Sequence, residues 1–244
     1  MTNSETKNSY SKSLIVIPTL NEKENLAKLL PEIFQSMENI SIIVIDDSSS
    51  DGTIELLNKF KNLYPHLQYI FRESDFGYGR SILTGLKWSY DNNFIRTITM
   101  DADFSHNPSV VPDLLVGLSR ADVIIGSRYI NGGAISSWNF YRRALSRFAN
   151  WYARTILSIK FRDLTTGFVG YNRLALEKII RDSPKSEGYA FLIETKNILY
   201  KNNLKIEEFP IIFSERRQGQ SKMSTKVVWE SIWNPWKLRF SPKD

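Results

Sequence analysis

The chain contains no cysteine and only two histidines among its 244 residues. Without cysteine no disulfide can form, and neither a cysteine nucleophile nor a His/Cys metal cluster is available. The lack of disulfides fits a reducing compartment, so we expect a cytoplasmic protein. A hydrophobic content of 42% is enough to bury a sizeable core, which predicts one main domain.

Long apolar segments are also missing. The longest apolar runs, 13–17 and 40–45, fall far short of the roughly 18 to 20 residues that a membrane-spanning helix needs. Residues 1–12 are polar and have no apolar segment ahead of a cleavage site, which argues against a secretory signal and predicts a disordered lead-in. We therefore expect membrane contact to be peripheral, at the cytoplasmic face.

Three common catalytic and phosphate-binding motifs are absent. Residues 18–22 occupy the first strand–helix junction, where a dinucleotide-binding domain has G-x-G-x-x-G, and the segment beginning at Gly77 lacks the third glycine. The chain has neither a Walker A lysine motif nor a G-x-S-x-G nucleophile elbow. These absences argue against a dinucleotide-dependent oxidoreductase, a P-loop nucleotidase and an α/β-hydrolase.

One stretch of the chain has no acidic residue. The formal net charge is +6, and residues 141–162 hold six cations, which are Arg142, Arg143, Arg147, Arg154, Lys160 and Arg162. An anionic partner is expected here. A phosphorylated lipid or an anionic bilayer surface fits at least as well as nucleic acid, for which the chain has no recognisable motif. We therefore do not expect nucleic acid as a partner.

Two carboxylates stand at the end of a β-branched run. Asp101 and Asp103 follow residues 96–100, and on an extended backbone they point to the same side with Cα atoms about 6 to 7 Å apart. Mg²⁺ and Mn²⁺ prefer oxygen ligands, and Mg²⁺ commonly takes one or two carboxylates together with substrate phosphates. The pair indicates a metal–diphosphate site, although a solvated Asp-x-Asp turn has the same pattern. His106 is near enough in sequence to take part.

Short β-branched runs alternate with helix-spaced apolar residues between residues 13 and 118. Strands are predicted at 13–17, 41–45, 67–71 and 96–100, and helices at 22–37, 54–64, 77–90 and 108–118. We expect Pro18 to stop the first strand. The alternation predicts a mainly parallel sheet covered by helices on both faces, whose ligands bind beyond the carboxyl ends of the strands. The polar clusters 18–22, 46–51 and 101–103 follow such ends and should converge on one rim.

Several runs in this order resemble the motifs of family-2 inverting glycosyltransferases. They are IPTLNE at 17–22, VIDDSSSDGT at 44–53, MDADFSHNP at 100–108, GSRY at 126–129, FYRR at 140–143, DLTTGF at 163–168, and the segments 208–211 and 219–222. The members that act on polyprenyl phosphates are the most similar. The resemblance covers nearly the whole chain after residue 12.

The resemblance implies an α/β domain of the GT-A type, a nucleotide-sugar-binding fold, over residues 13–226. It implies metal-dependent, inverting transfer of mannose from GDP-mannose to a polyprenyl (dolichyl) phosphate. Another donor such as UDP-glucose, or a saccharide acceptor, is the nearest alternative. A non-catalytic membrane-surface binding module or a nucleic-acid binder is the alternative of a different class.

The resemblance also assigns residues on the donor side. Pro18, Asn21, Glu22 and Asp46 line the nucleotide pocket, with Asp46 or a neighbour reading the base. Asp101 and Asp103 hold Mg²⁺ or Mn²⁺ across the diphosphate, with Ser105 as a weaker third ligand at a position where the family often has Gln. Ala102 and Arg128 also belong to the residues that bind the nucleotide-sugar. Leu20 stands where the family commonly has Tyr, which removes a stacking contact with the base. Arg216 and Lys222 belong to a polar loop that follows a strand predicted at 209–213, and they neutralise the diphosphate.

On the acceptor side, the resemblance implies that Arg128, Arg142 and Ser146 grip the phosphate of the polyprenol. Arg142 and Ser146 are four residues apart and share a helix face. Asp163 positions the sugar or the acceptor, and Arg128 and Asp163 join Asp101 and Asp103 in the catalytic set. We expect Arg143, Arg147 and Arg154 to form a solvated or lipid-facing side of the helix.

The segment 227–244 is rich in tryptophan. Trp229, Trp233 and Trp236 follow helical spacing and make one face, with Lys237 and Arg239 beyond them. Aromatic residues with basic flanks suit a bilayer interface, while a helix packed on the domain has the same pattern. Membrane contact is expected through this segment, the basic helix or an anchoring partner subunit.

Overall fold

The computed structural model describes residues 10–136, 138–214 and 225–240. Its strands are β1 (Ser13–Thr19), β2 (Ser41–Asp46), β3 (Leu67–Phe71), β4 (Arg96–Thr99), β5 (Val123–Ser127), β6 (Ala134–Ile135), β7 (Val169–Asn172), β8 (Ile206–Pro210) and β9 (Ile212–Phe213). Its helices are α1 (Lys23–Ser36), α2 (Thr53–Leu63), α3 (Tyr78–Asp91), α4 (Val111–Gly117), α5 (Phe140–Leu157), α6 (Arg173–Asp182), α7 (Gly188–Lys201) and α8 (Thr225–Phe240). A 3₁₀ turn at Pro108–Val110 precedes α4.

Seven strands of the described chain form one sheet, in the order β3-β2-β1-β4-β7-β5-β8. All neighbouring pairs are parallel except those of β7, which runs antiparallel to both β4 and β5. The prediction of a mainly parallel sheet flanked by helices is therefore confirmed. A separate small ladder joins β6 and β9.

The sheet is covered on both faces, as its continuous apolar strands require. One core cluster packs α1 and α4 against the sheet, and Leu26 and Leu30 of α1 are fully buried in it. A second cluster lies on the other face and collects side chains from α3, α5, α6 and α7. On that side α3 lies so close to β1 that a Cβ at Gly85 would overlap the side chain of Val16.

Two predicted strand boundaries are wrong. The strand β1 does not stop at Pro18 but continues to Thr19, paired with β2 throughout. Its other neighbour, β4, pairs with β1 only as far as Val16. Pro18 lacks an N–H on the β4 side, where no strand needs one at this position, so the proline does not interrupt the sheet. The strand predicted at 209–213 is two strands, β8 and β9. The chain changes partner at Ile211, whose N–H donates to Ser127 of β5 while its carbonyl accepts from Ala134 at β6.

The chain ends can be described only in part. Residues 1–9 of the predicted lead-in lie outside the described residues, whereas 10–12 form a turn and Tyr10 packs against the core. The helix α8 spans the predicted boundary at 226–227. Among the described residues, no helix has both the length and the apolar character needed to cross a bilayer.

Candidate active site

The loops after β1 and β2 are bound to each other at the carboxyl edge of the sheet. Asn21 adopts a left-handed backbone (φ +59°) that turns its amide groups toward the second loop. Its N–H donates to Ser49 Oγ at 2.7 Å, and its Oδ1 accepts from the N–H of Ser50 at 2.8 Å. The N–H of Lys23 donates to Asp51 Oδ2 at 3.0 Å. These contacts bring the clusters 18–22 and 46–51 together.

Asp46 lies at the base of this pair of loops and is fully buried. Its carboxylate accepts the N–H of Ser49 at 2.9 Å, the hydroxyl of Ser49 at 2.6 Å and the hydroxyl of Thr19 at 3.0 Å. Three of the roughly four acceptor positions of a carboxylate are therefore used inside the protein. The side chain fixes the shape of the loop that follows β2.

Asp47 and Arg72 tie the third loop to the second, a connection that the sequence patterns did not indicate. Arg72 Nη1 lies 2.8 Å from Asp47 Oδ1 and 2.7 Å from Ser81 Oγ, and both charged side chains are buried. Asp47 Oδ2 accepts the N–H of Gly77 at 2.8 Å, at the start of α3. The first turn of α3, which carries Tyr78, is thereby held at the same edge.

Pro18 and Glu22 stand at this edge as predicted, at the end of β1 and immediately before α1. Both are half-buried, and Glu22 Oε2 accepts the amide of Asn25 at 2.6 Å. Leu20 is exposed between them. The predicted donor-side residues of the first two loops therefore lie on one rim of the sheet.

The acidic pair follows β4 on the same rim. Asp101 is partly exposed and accepts the hydroxyl of Tyr78 at Oδ1, 3.0 Å away. Its backbone N–H donates to His106 Nδ1 at 3.0 Å. Asp103 is buried beside Ala102, and its Oδ1 accepts the N–H of Ser105 at 3.0 Å. Between the pair and His106 the chain makes a tight turn through Phe104, which has a left-handed backbone (φ +62°).

The residues around the pair fit a divalent cation. Ser105 Oγ is buried and makes no hydrogen bond within the described structure, so an oxygen ligand is available next to Asp103. His106 uses its Nδ1 lone pair on the backbone of Asp101, which keeps that nitrogen away from a ligand role. Among the described residues, no cluster of three or more His, Asp or Glu side chains could hold a metal. The donor set is therefore two carboxylates with a hydroxyl, a set typical of metals that also bind substrate phosphates.

His106 and Tyr78 have shifted pKa values that set their protonation next to Asp101. Burial lowers the pKa of His106, although Asp101 and Asp103 oppose the shift, so the imidazole is neutral near pH 7. Burial, and then the charge and hydrogen bond of Asp101, raise the pKa of Tyr78 well above its usual value. Tyr78 therefore remains a hydrogen-bond donor to the carboxylate. The sequence patterns did not select Tyr78 as a site residue.

Arg128 and Asp163 form a buried ion pair. Arg128 Nε donates to Asp163 Oδ2 and Nη2 to Asp163 Oδ1, each at 2.8 Å, and the N–H of Arg128 also donates to Oδ2 at 3.1 Å. Burial alone would raise the pKa of Asp163, but the charge and hydrogen bonds of Arg128 outweigh it and the pKa is lowered. Asp163 therefore acts on Arg128 directly, by fixing its guanidinium.

The ion pair and the acidic pair are neighbours. The ring of Phe213 lies 5.3 Å from the Arg128 guanidinium and 5.7 Å from the His106 ring. On the other side, a Cβ at Gly167 would overlap the Tyr78 hydroxyl and lie 3.6 Å from Asp101 Oδ1. The segment 163–168 therefore starts at the ion pair and reaches Asp101 near its end. The ion pair and the acidic pair belong to one site.

Three polar side chains from other elements hold the segment 163–168. Lys196 of α7 is buried and its Nζ donates to the carbonyl of Thr166 at 2.8 Å. Asn150 of α5 accepts the N–H of Leu164 at 2.8 Å. Glu208 of β8 accepts the N–H of Asp163 at 3.1 Å. Neither Lys196 nor Asn150 has a local sequence signal, because each acts on residues distant in the chain.

The helix α5 brings the predicted acceptor residues next to Arg128. Its N-cap is Asn139, whose side chain accepts the N–H of Arg142 at 2.9 Å. The Arg142 guanidinium lies 4.1 Å from the centre of the Trp138 ring. One turn later, Ser146 Oγ lies 2.6 Å from the hydroxyl of Tyr129, the residue after Arg128.

Two predicted residues cannot be placed. Arg216 and Lys222 lie outside the described residues, so their assignment to the diphosphate stays a prediction. Arg143 and Arg147 are exposed, as expected for a solvated side of α5, whereas Arg154 is half-buried.

Comparison with solved structures identifies the class of fold. The chain superposes over its whole length on glucosyl-3-phosphoglycerate synthase from Mycobacterium tuberculosis in complex with Mn²⁺, UDP and glucosyl-3-phosphoglycerate, with a TM-score of 0.69, 16% identity and 86% of that chain covered. A complex of the same enzyme with Mg²⁺ and UDP gives a TM-score of 0.68 at 15% identity, covering 100% of this chain and 85% of that one. The architecture is thus the GT-A fold of nucleotide-sugar-dependent glycosyltransferases. The two solved structures contain Mn²⁺ and Mg²⁺, respectively.

Sequence comparison gives the family. Residues 14–181 match glycosyl transferase family 2. The polyprenol monophosphomannose synthase of Mycolicibacterium smegmatis is 35% identical over 232 residues, which cover 93% of this chain and 88% of that protein. The undecaprenyl-phosphate mannosyltransferase of Micrococcus luteus is 33% identical over 221 residues, covering 91% of each chain. The protein belongs to glycosyl transferase family 2 and is a glycosyltransferase.

A third relative is longer than this chain. The dolichol-phosphate mannosyltransferase of Pyrococcus furiosus is 33% identical over 228 residues, covering 92% of this chain and 62% of its own length. The shared part includes the segments that carry the acidic pair, the buried ion pair and α5, since it spans nearly all of the present chain.

Proposed function

We propose that the protein transfers mannose from GDP-mannose to a polyprenyl phosphate and inverts the anomeric centre. One observation carries the proposal: the acidic pair Asp101/Asp103 and the cationic group around Arg128 are joined on one rim, so a donor diphosphate and an anionic acceptor have adjacent sites. The names of the relatives support mannose as the sugar and a polyprenyl phosphate as the acceptor.

On the donor side, Asp101, Asp103 and Ser105 would hold Mg²⁺ or Mn²⁺. The cation, when bound, supplies Lewis-acid stabilisation of the charge on the leaving nucleoside diphosphate. Tyr78 orients the Asp101 carboxylate by its hydrogen bond, and the neutral His106 fixes the backbone at the same residue. Partners of this kind hold ligands in place and tune a metal site.

The nucleotide pocket is the space bordered by the first two loops. We propose that Pro18, Asn21 and Glu22 contact the nucleotide directly, because they stand at the open edge of those loops. Asp46 acts through the loop that it holds, since most of its acceptor capacity is used by Thr19 and Ser49. Arg216 and Lys222 are proposed to neutralise the diphosphate.

On the acceptor side, Arg128, Arg142 and Ser146 bind the phosphate. Asp163 and Thr165 occupy Nε and Nη2 of Arg128 and hold its guanidinium in a fixed plane, which leaves Nη1 to donate to a phosphate oxygen. A phosphate monoester has a second pKa of about 6, so the attacking oxygen is already largely ionised near pH 7. The displacement therefore does not require a strong general base, and Asp163 serves to position Arg128.

Peripheral contact with the membrane is proposed through α5 and α8. The aromatic side chains Tyr141, Phe148 and Trp151 of α5 are exposed, and so are Trp233, Trp236 and Phe240 of α8. Trp236 Nε1 donates to the hydroxyl of Tyr152 at 2.9 Å, which joins the two helices. An exposed aromatic patch with basic neighbours suits the headgroup region of a bilayer, and the absence of cysteine agrees with its cytoplasmic face.

A transfer assay tests the proposed function. Purified protein is mixed with a short polyprenyl phosphate and labelled GDP-mannose or UDP-glucose, with Mn²⁺ or with EDTA. We expect labelled lipid from GDP-mannose with metal and none with EDTA. Product from UDP-glucose alone would change the donor, and transfer to a free sugar with no lipid product would refute the acceptor.

A further inference from the structure

A cleft of about 460 Å³ opens beside α5 and borders the acceptor side of the candidate active site. Arginine accounts for four of the residues that line it, which are Arg128, Arg147, Arg154 and Arg162, and none of its lining residues is acidic. Tyr129 and Trp151 also line the cleft. We call it the arginine cleft.

Most of the positive charge in the arginine cleft is not neutralised by the protein. Arg128 is paired with Asp163, but Arg147, Arg154 and Arg162 form no ion pair with any residue in the described part of the chain. Arg162 Nη1 and Arg154 Nη2 make only long bonds to backbone carbonyls, at 3.4 and 3.3 Å. Arg154 Nε is buried and has no partner among the described residues.

A group of cations without acidic partners attracts anions. Three guanidinium groups around one cleft repel one another, and a bound anion removes that repulsion. Guanidinium favours phosphate because its planar N–H groups match two phosphate oxygens at once. The chemistry of the arginine cleft therefore points to a phosphate group as its ligand.

The arginine cleft shares Arg128 with the proposed acceptor site but is otherwise a different space. Arg142 and Ser146 do not line it. With 3.6 residues per turn, Arg147, Trp151 and Arg154 lie roughly a third of a turn around α5 from Arg142 and Ser146. Arg147 and Arg154 are also about 10 Å apart along the helix axis. The two sets of residues therefore face different spaces on the same helix.

Trp151 connects the arginine cleft with the aromatic patch. It lines the cleft, its side chain is 58% exposed, and its ring centre lies 5.7 Å from that of the exposed Phe148. A tryptophan in such a patch sits at the level of the lipid headgroups. A phosphate bound in the cleft would then lie at headgroup depth.

We propose that the arginine cleft binds the phosphate of an anionic phospholipid of the surrounding bilayer, next to the acceptor site. The bound headgroup would fix the rotation of α5 on the membrane surface. Arg128 would then face the plane in which the acceptor phosphate lies. The proposal does not depend on the identity of the donor sugar or of the acceptor.

Vesicle binding tests the proposal. The protein is sedimented with vesicles of phosphatidylcholine alone or of phosphatidylcholine with phosphatidylglycerol. The cleft variant is Arg147→Gln/Arg154→Gln, and the control Arg143→Gln/Lys160→Gln removes the same charge from the same basic stretch, outside the cleft lining. We expect the cleft variant to bind the anionic vesicles roughly 30-fold more weakly and to bind neutral vesicles normally. The control removes two exposed cations that lie outside the cleft and attract the surface only through screened solvent, so it should lose clearly less affinity than the cleft variant.

Equal losses for the cleft variant and the control would overturn the proposal, because the attraction would then be unspecific. Two further readouts identify the source of the phosphate. Binding of water-soluble dihexanoyl phosphatidylglycerol should exceed that of inorganic phosphate, and equal affinities would refute a lipid ligand. In neutral detergent the cleft variant should keep the acceptor KM of the wild type, whereas a raised KM would reassign the cleft to the acceptor's own phosphate.

The vesicle experiment requires no donor and no turnover. A failed transfer assay would therefore overturn the proposed function and leave the vesicle result intact. Conversely, normal transfer with no selectivity for anionic vesicles would overturn only the proposal that the arginine cleft binds an anionic phospholipid.

Discussion

Replacing Asp163 by Asn should destabilise the fold strongly. The carboxylate is fully buried and accepts three bonds from Arg128, two of them at 2.8 Å from the guanidinium, so Asp163→Asn leaves a buried cation uncompensated. Breaking a buried ion pair in this way costs about 3 to 5 kcal/mol. Typical domains have about 5 to 15 kcal/mol of stability in total, so a large fraction would be lost.

Urea unfolding followed by tryptophan fluorescence measures this loss. The exposed pair Arg120–Glu207 is the matched control, because Arg120→Gln removes a salt bridge of the same 2.8 Å length at the surface and should cost about 1 kcal/mol or less. The double variant Arg128→Met/Asp163→Leu removes both charges and should recover much of the stability lost by Asp163→Asn. An Asp163→Asn cost no larger than that of Arg120→Gln would refute the assignment of a buried, coupled pair.

The pH dependence supplies a second check on Asp163. Its pKa is lowered in the fold from an ordinary value of 3.8, so the native state holds the proton less well than the unfolded chain. The stability that the pair contributes is therefore fully present above pH 3.8 and is lost as the pH falls below that value. The Asp163→Asn variant should lack this acid-dependent loss.

Three further predictions concern residues that pack around the candidate active site. Tyr78→Phe removes the bond to Asp101 and should raise the Mn²⁺ concentration needed for half-maximal activity by about 10- to 100-fold; an unchanged requirement would contradict a positioning role. Gly167→Ala inserts a methyl group against the Tyr78 hydroxyl and should likewise weaken metal-dependent turnover, whereas wild-type turnover would mean that the two do not touch. Burial lowers the pKa of Lys196 from 10.5 to about 7. Between these two pH values the unfolded chain holds a proton on Lys196 that the folded chain has lost, so the free energy of unfolding should rise with pH over this range. Lys196→Met should flatten the rise between pH 7 and 9 in urea unfolding, and parallel curves for the two proteins would contradict the burial of a neutral lysine.

The proposed donor half of the site follows closely from the sequence. Parallel strands end at one edge, so apolar runs followed by polar clusters were enough to predict that residues 18–22, 46–51 and 101–103 would converge. The antiparallel β7 could not be predicted in this way, because its four residues carry no periodicity that distinguishes its direction. The continuation of β1 through Pro18 depends on where the neighbouring β4 ends, which is a tertiary fact.

The proposed acceptor half of the site depends on contacts between distant residues. Arg128 and Asp163 were both selected by resemblance, yet their pairing spans 35 positions and no local pattern indicates it. Lys196 stands between Thr195 and Asn197 on α7, where nothing in the sequence marks it, and only the fold brings it to the carbonyl of Thr166. Arg154 reads as one more cation of a basic helix until the structure buries its Nε.

We propose that a metal held by Asp101 and Asp103 serves transfer of mannose to a lipid phosphate. The most direct measurement compares mannolipid formation from GDP-mannose by the wild type, by Asp101→Asn and by Asp113→Asn, a control that changes an exposed carboxylate on α4. The variant Asp101→Asn loses several kcal/mol of charge stabilisation, so its rate of mannolipid formation should fall by roughly 10²- to 10³-fold. The control Asp113→Asn should keep the wild-type rate. Mannolipid formed at the wild-type rate by Asp101→Asn, or none formed by the wild type, would contradict the account.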